Sequence, residues 1–148
     1  MNDFVKELSI DWDAETLLKV MFSQPYKSWK EEEYITNKYL RISDSYIDNI
    51  REQIAVAGYV PRNHFFSEML PDTQLPIHTD ISRVGAINFP LLGDWDNSML
   101  EFYDQDKQTL IYAYKYKVNQ AVWVNTEKYH TVKNNGIQRR FIFSVSLY

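Results

Sequence analysis

Residues 139–147 read Arg139-Arg140-Phe141-Ile142-Phe143-Ser144-Val145-Ser146-Leu147, and their alternation decides the fold class. Successive side chains of a strand point to opposite faces. Phe141, Phe143, Val145 and Leu147 therefore make one apolar face, and Arg140, Ile142, Ser144 and Ser146 make the other. The same period of two runs back to about residue 63. It marks strands at 64–70, 76–82, 84–91, 98–103, 109–118 and 120–125, with Gln105-Asp106-Lys107 as a hairpin turn. Within 109–118, Leu110, Tyr112, Tyr114, Tyr116 and Val118 alternate with Thr109, Ile111, Ala113, Lys115 and Lys117. Such a tyrosine stripe is sheet packing more often than a ligand platform.

Upstream the period changes. Residues 13–23 read as a helix with Asp13 as N-cap and Leu17, Leu18, Met21 and Phe22 on one stripe. Residues 44–57 read as a second helix, capped by Ser43, with Ile47, Ile50 and Ile54 on one face and Gly58 at the C′ position. Lys30-Glu31-Glu32-Glu33 reads as an exposed turn. Helices followed by many short strands imply a mainly-β sandwich or barrel with flanking helices. No repeat, low-complexity segment or Gly/Ser/Pro-rich linker divides the chain. The expectation is a single domain over 1–148, with 1–62 as a mixed α/β buttress and 63–148 as the core.

Composition narrows the chemistry. The 148 residues carry 16 Lys plus Arg against 20 Asp plus Glu, a net charge of −4 that gives no electrostatic footprint for nucleic acid. There is no cysteine, so disulfides and thiolate metal sites are excluded. A transition metal must be held by carboxylates and by His64, His78 or His130, the three histidines. No run approaches the roughly 20 apolar residues of a membrane span. The N-terminal Met1-Asn2-Asp3-Phe4-Val5-Lys6-Glu7 lacks the apolar stretch of a secretion signal. The expected location is cytoplasmic.

His78-Thr79-Asp80 is the chemical centre of the sequence. On a strand, positions 78 and 80 share a face, which brings an imidazole and a carboxylate close enough to share an ion. His130 follows 50 residues later, after the turn-like Asn125-Thr126-Glu127-Lys128. Two His and one carboxylate are the ligands of the facial triad of non-haem Fe(II) oxygenases, which leaves coordination positions open. Arg140 stands ten residues beyond His130, with Ser144 on the same side of the last strand. Its guanidinium fork suits a carboxylate, either a protein acid or a ligand.

Together, His78-x-Asp80, His130 and Arg140 resemble the 2-oxoglutarate/Fe(II)-dependent oxygenase superfamily, over roughly residues 63–148. The chain looks most like its aspartyl/asparaginyl β-hydroxylase group. There, a Ser in a Ser-x-Met-x-Pro-x-Thr context precedes the first metal His, as Ser67-Glu68-Met69-Leu70-Pro71-Asp72-Thr73 does here. The tail His130-Thr131-Val132-Lys133-Asn134 and Arg140-Phe141-Ile142-Phe143 match it too. The resemblance implies a double-stranded β-helix, a cupin-like jelly roll, with His78, Asp80 and His130 binding Fe(II) at its open end. It implies 2-oxoglutarate as co-substrate, with its distal carboxylate on Arg140 and with Ser67, Asn88 and Ser144 as further contacts. It implies that O2 is consumed, that succinate and CO2 are released, and that a C–H bond of an amino-acid side chain, free or in a protein, is hydroxylated. Asp80 points to hydroxylation, because related halogenases lack that carboxylate. Two departures are clear. The group often lacks the carboxylate ligand that Asp80 supplies here. The group's Arg-x-His on the next strand is replaced by Ala86-Ile87-Asn88, leaving Asn88 or Arg83 to take the place of that clamp.

Rival readings are a jelly-roll module that binds a sugar or peptide without redox chemistry, and a cupin-like metalloenzyme that does not use 2-oxoglutarate. Four further residues have plainer roles. His64 reads as structural or surface, Tyr129 as packing beside His130, and Arg139 as a surface cation. Trp95, in the turn-rich Gly93-Asp94-Trp95-Asp96-Asn97-Ser98, either lines a substrate entrance or caps the barrel end.

Overall fold

The chain folds into two antiparallel sheets with helices against the larger one, in a computed structural model that describes residues 3–31, 37–80 and 82–148. In spatial order the larger sheet contains β1 (Val5–Leu8), β9 (Ala121–Val124), β6 (Gly85–Leu92), β11 (Arg140–Leu147), β4 (Pro61–Met69), β3 (Asn37–Leu40) and β2 (Lys30–Glu31). The smaller contains β5 (Thr73–Gln74), β10 (His130–Asn134), β7 (Ser98–Tyr103) and β8 (Leu110–Lys115). This is the jelly roll with flanking helices that the alternation and the resemblance implied.

The strand that decided the fold lies at its centre. β11 pairs with β4 on one side and β6 on the other, and is buried along its whole length. Its apolar face meets the helices. Phe143 packs 4.9 Å from Phe66 and 5.6 Å from Phe89, ring to ring, and Phe141 packs 6.0 Å from Trp29. Burying each such ring contributes about 1.5–3 kcal/mol. The face carrying Arg140, Ile142 and Ser144 is buried as well, because it lines a cavity between the sheets.

The helices α1 (Ala14–Phe22) and α2 (Ser45–Val56) form where the apolar stripes predict. Asp13 caps α1 by accepting the Thr16 N–H at 3.0 Å. The cap of α2 is Asp44 and not Ser43; its carboxylate accepts the Tyr46 N–H at 2.8 Å. An anion is also favoured there by the helix dipole. Gly58 takes the expected left-handed conformation, with φ of 98°.

The expected strand 76–82 does not form. From Thr73 the chain follows β10, but Pro76 has no N–H to give a ladder. After Thr73–Gln74 the Leu75 N–H still donates to the Val132 carbonyl at 3.0 Å, and beyond Pro76 pairing with β10 returns as an isolated bridge between His78 and His130. Residue 81 lies outside the described residues, as do 32 and 33 of the expected turn. Five strands escaped the periodicity: β2, whose two residues open the expected turn at 30–33, the equally short β5, and β1, β3 and β10. The four residues of β1 and of β3 are too short to show it, and β10 begins at His130, directly after the turn. Among the described residues, no helix is long and apolar enough to cross a membrane.

Candidate metal and cofactor site

His78, Asp80, His130, Arg140, Ser67, Asn88 and Ser144 all line one cavity of about 150 Å³ between the sheets. His78 and His130 are held by reciprocal backbone hydrogen bonds of 3.0 and 2.9 Å. The bridge sets their rings 4.5 Å apart. Asp80 is fixed separately, its N–H donating to the Thr126 carbonyl at 2.9 Å. A bridge and a loop thus do what the strand was expected to do. His78 Nε2 lies 3.5 Å from Asp80 Oδ1, and His130 Nε2 lies 3.7 Å from Asp80 Oδ2. One ligand atom from each residue falls within 4.8 Å of the others.

The far nitrogens fix the tautomers. His78 Nδ1 is 2.6 Å from the Pro76 carbonyl, and His130 Nδ1 is 2.7 Å from the Lys128 carbonyl. A carbonyl only accepts, so each Nδ1 carries the proton and each Nε2 turns a lone pair to the centre. Burial holds the pKa of His130 below its usual 6.5, which favours the neutral imidazole, the form able to bind a metal.

Arg83 belongs to this cluster. Its Nε donates to Asp80 Oδ2 at 2.9 Å, and its Nη2 lies 2.8 Å from the same oxygen. Nη1 donates to Ser146 Oγ at 3.1 Å. Both contacts to Asp80 fall on one carboxylate oxygen and leave Oδ1 open toward an ion. Arg83 is therefore tied to the carboxylate.

Deeper in the cavity, Arg140 is 3% exposed. Its guanidinium sits 5.1 Å from the Tyr116 ring and 5.9 Å from the Trp95 ring. No carboxylate pairs with it among the described residues, and its Nε has no hydrogen-bond partner. Burial pulls its pKa below the usual arginine range, as expected for a cation out of water. The neighbouring Arg139 faces the other way and pairs at 3.2 Å with the buried Glu68, which also accepts from the Tyr26 hydroxyl at 2.6 Å. Of the two arginines, only Arg140 lacks an anion.

The polar groups around Arg140 form a chain. Ser144 Oγ donates to Asn88 Oδ1 at 2.7 Å, and Asn88 Nδ2 donates to the Tyr116 hydroxyl at 2.9 Å. Ser144 and Asn88 are cross-strand partners. The chain engages the Ser144 proton and leaves the Tyr116 proton to donate elsewhere. Tyr116 is a site residue that the sequence hid inside an ordinary tyrosine stripe. Ser67 enters from β4 opposite Ile142. Trp95 packs against both Arg140 and Tyr116, its ring 5.8 Å from that of Tyr116. Tyr129 stacks under Lys107, 5.1 Å from its amine. His64 lies on the helix side of β4, bound through Nε2 to the Ile42 carbonyl at 2.9 Å.

Neither a family model nor a curated protein matches this sequence. Solved structures match its fold. An oxidoreductase of the 2OG-Fe(II) oxygenase family from Burkholderia pseudomallei is 13% identical, with a TM-score of 0.65, covering 97% of this chain and 83% of that one. A viral collagen prolyl hydroxylase from Paramecium Bursaria Chlorella virus-1, solved with 2OG, is 11% identical, with a TM-score of 0.64, covering 98% and 95%. The oxalate decarboxylase of Lactobacillus farciminis is 12% identical, with a TM-score of 0.53, covering 81% of this chain and 31% of that one. At such identities the likeness establishes a shared jelly-roll architecture.

Proposed function

We propose that this chain is an Fe(II)- and 2-oxoglutarate-dependent dioxygenase that hydroxylates an amino-acid side chain. The observation that carries the reading is a buried arginine without an anion, in the same cavity as a His-Asp-His cluster. A structural ion would account for the cluster but not for Arg140. A dicarboxylate that also chelates a metal accounts for both.

His78 Nε2, His130 Nε2 and Asp80 Oδ1 are the metal ligands in this reading. Bound iron supplies activation of O2 coupled to oxidative decarboxylation of 2-oxoglutarate, with release of succinate and CO2. The protein's work is positional. Arg83 holds the second oxygen of Asp80, and the Pro76 and Lys128 carbonyls hold the imidazoles. Arg140 takes the distal carboxylate by its fork, and the Tyr116 hydroxyl gives a second donor in the place of the group's missing cation. Asn88 sets the orientation of Tyr116, Ser144 anchors Asn88, and Ser67 bounds the cavity opposite. Trp95 keeps water from the Arg140 end.

Residues 1–148 act as one domain in this reading. The substrate is a peptide or a small molecule that reaches the metal end. The viral collagen prolyl hydroxylase supports the peptide option. The likeness to an oxalate decarboxylase supports a second reading, a metalloenzyme without 2-oxoglutarate, but that reading leaves the Arg140 cation unexplained.

The test is release of succinate from 2-oxoglutarate by the Fe(II)-loaded protein, with and without a panel of peptides and amino acids. Uncoupled turnover that vanishes in Asp80→Ala and His130→Ala is the expected result. Unchanged turnover in both variants contradicts the ligand assignment.

A further inference from the structure

Among the described residues, three arginines gather on the helix side of β4, and none of them forms an ion pair with a carboxylate. Arg41, Arg51, Arg62 and His64, with Ile42, Ser43 and Asn63, line a hollow of about 400 Å³. It lies between α2, the segment leading into it, and the start of β4. No Lys, Arg or His pairs with a carboxylate in this hollow, although the chain as a whole is acidic. Asp48, one turn back along α2, is the acid whose charge reaches His64, and it makes no ion pair with any of the three arginines.

The donors are held in place. Arg51 Nη2 donates to the Arg62 carbonyl at 3.1 Å. Arg51 Nη1 lies 3.3 Å from His64 Nδ1. His64 Nε2 contacts the Ile42 carbonyl, so Nε2 carries the proton and Nδ1 accepts from Arg51. Arg62 stacks 5.5 Å from the Tyr148 ring and donates to the Ser82 carbonyl, beside Arg83. Arg41 stacks 5.6 Å from the Tyr39 ring. A guanidinium has five N–H donors, so these contacts leave most of the set unused. Like charges held together in this way repel one another unless an anion lies among them.

We propose that this hollow is a binding site for a phosphate group, free or carried on a small organic molecule. Arg51 and Arg62 bind its oxygens as forks, Arg41 closes the outer side, and Ser43 and Asn63 add neutral donors. The site is separate from the cavity between the sheets and does not depend on the oxygenase reading.

Calorimetric titration of the full chain with inorganic phosphate, at constant ionic strength against chloride, tests it. Phenyl phosphate in a parallel titration covers the organic source. Saturable one-to-one binding of either is expected, weakened about tenfold or more in Arg51→Gln and in Arg62→Gln, because each removes a charge-assisted contact. Arg41→Gln, at an exposed position, tests the site without disturbing buried hydrogen bonds and should weaken binding several-fold. Arg140→Gln should leave it unchanged. Three results overturn the proposal: no saturable binding, wild-type affinity in both the Arg41 and the Arg51 variant, or loss of binding in Arg140→Gln alone, which would place the anion between the sheets.

Discussion

Arg140 imposes a cost on the cofactor-free protein. A buried guanidinium with an orphaned Nε has lost water without gaining an anion, and such a group typically costs a few kcal/mol. This gives the residue two opposed effects that can be measured apart. Arg140→Met fills a similar volume without the charge, so the cofactor-free variant should melt at or above the wild-type temperature. The same substitution should raise the 2-oxoglutarate requirement by about tenfold to a hundredfold, the worth of charge-assisted bonds to a carboxylate. Tyr116→Phe removes one neutral donor and should raise it less. A destabilised Arg140→Met with unchanged 2-oxoglutarate requirement would make the arginine a structural residue. The sequence placed Arg140 correctly on the face opposite Phe141. It could not show that no acid waits there, because pairing across strands is a property of the fold.

At the scale of elements, what was legible depended on length and on pattern. β11 and the two helices were readable because eight or more residues keep one period. β1 and β3 have four residues each, and their signal drowns in the surrounding chain. The segment carrying His78 and Asp80 was misread as a strand, since apolar and polar residues alternate there by accident around Pro76. The convergence of the two side chains was nonetheless foreseen, for the wrong reason. A backbone bridge to His130 aims His78, while Thr126 and Arg83 aim Asp80. Arg83 illustrates the limit: its sequence neighbourhood offers it as a stand-in for a cofactor clamp, and only its 2.9 Å bond to Asp80 ties it to the His78–Asp80–His130 cluster. Tyr116 shows the converse. Its stripe reads as packing, and two of the stripe's tyrosines, Tyr114 and Tyr116, are buried as packing requires. Tyr116 becomes a site residue through Asn88 on a different sheet.

At the scale of the whole molecule, folding is coupled to proton binding. Burial lowers the pKa of both His64 and His130 from the ordinary 6.5. The unfolded chain therefore binds protons that the folded chain refuses. This contribution to stability is fully present above pH 6.5 and is lost as the pH falls toward the folded-state values. The metal-free protein should show a melting temperature that drops between pH 7 and pH 5, with a shallower drop in His64→Gln. A flat profile would mean that both histidines titrate as freely in the fold as out of it. Divalent metal should steepen the same dependence, because it binds only the neutral imidazoles and competes with protons at His130. The two sheets bring residues 67, 78, 80, 88, 130, 140 and 144 into one cavity from five separate segments. That gathering was inferred from a resemblance, and no local pattern in the sequence contains it.

In the proposed reading one cavity holds a metal and a dicarboxylate together. Anaerobic ultraviolet–visible titration with Fe(II) and 2-oxoglutarate tests it most directly. The expected result is a weak visible charge-transfer band that requires both components, fades when air is admitted, and is absent in His130→Ala. If no band forms at saturating iron and 2-oxoglutarate, they do not meet in this cavity and the oxygenase reading is contradicted.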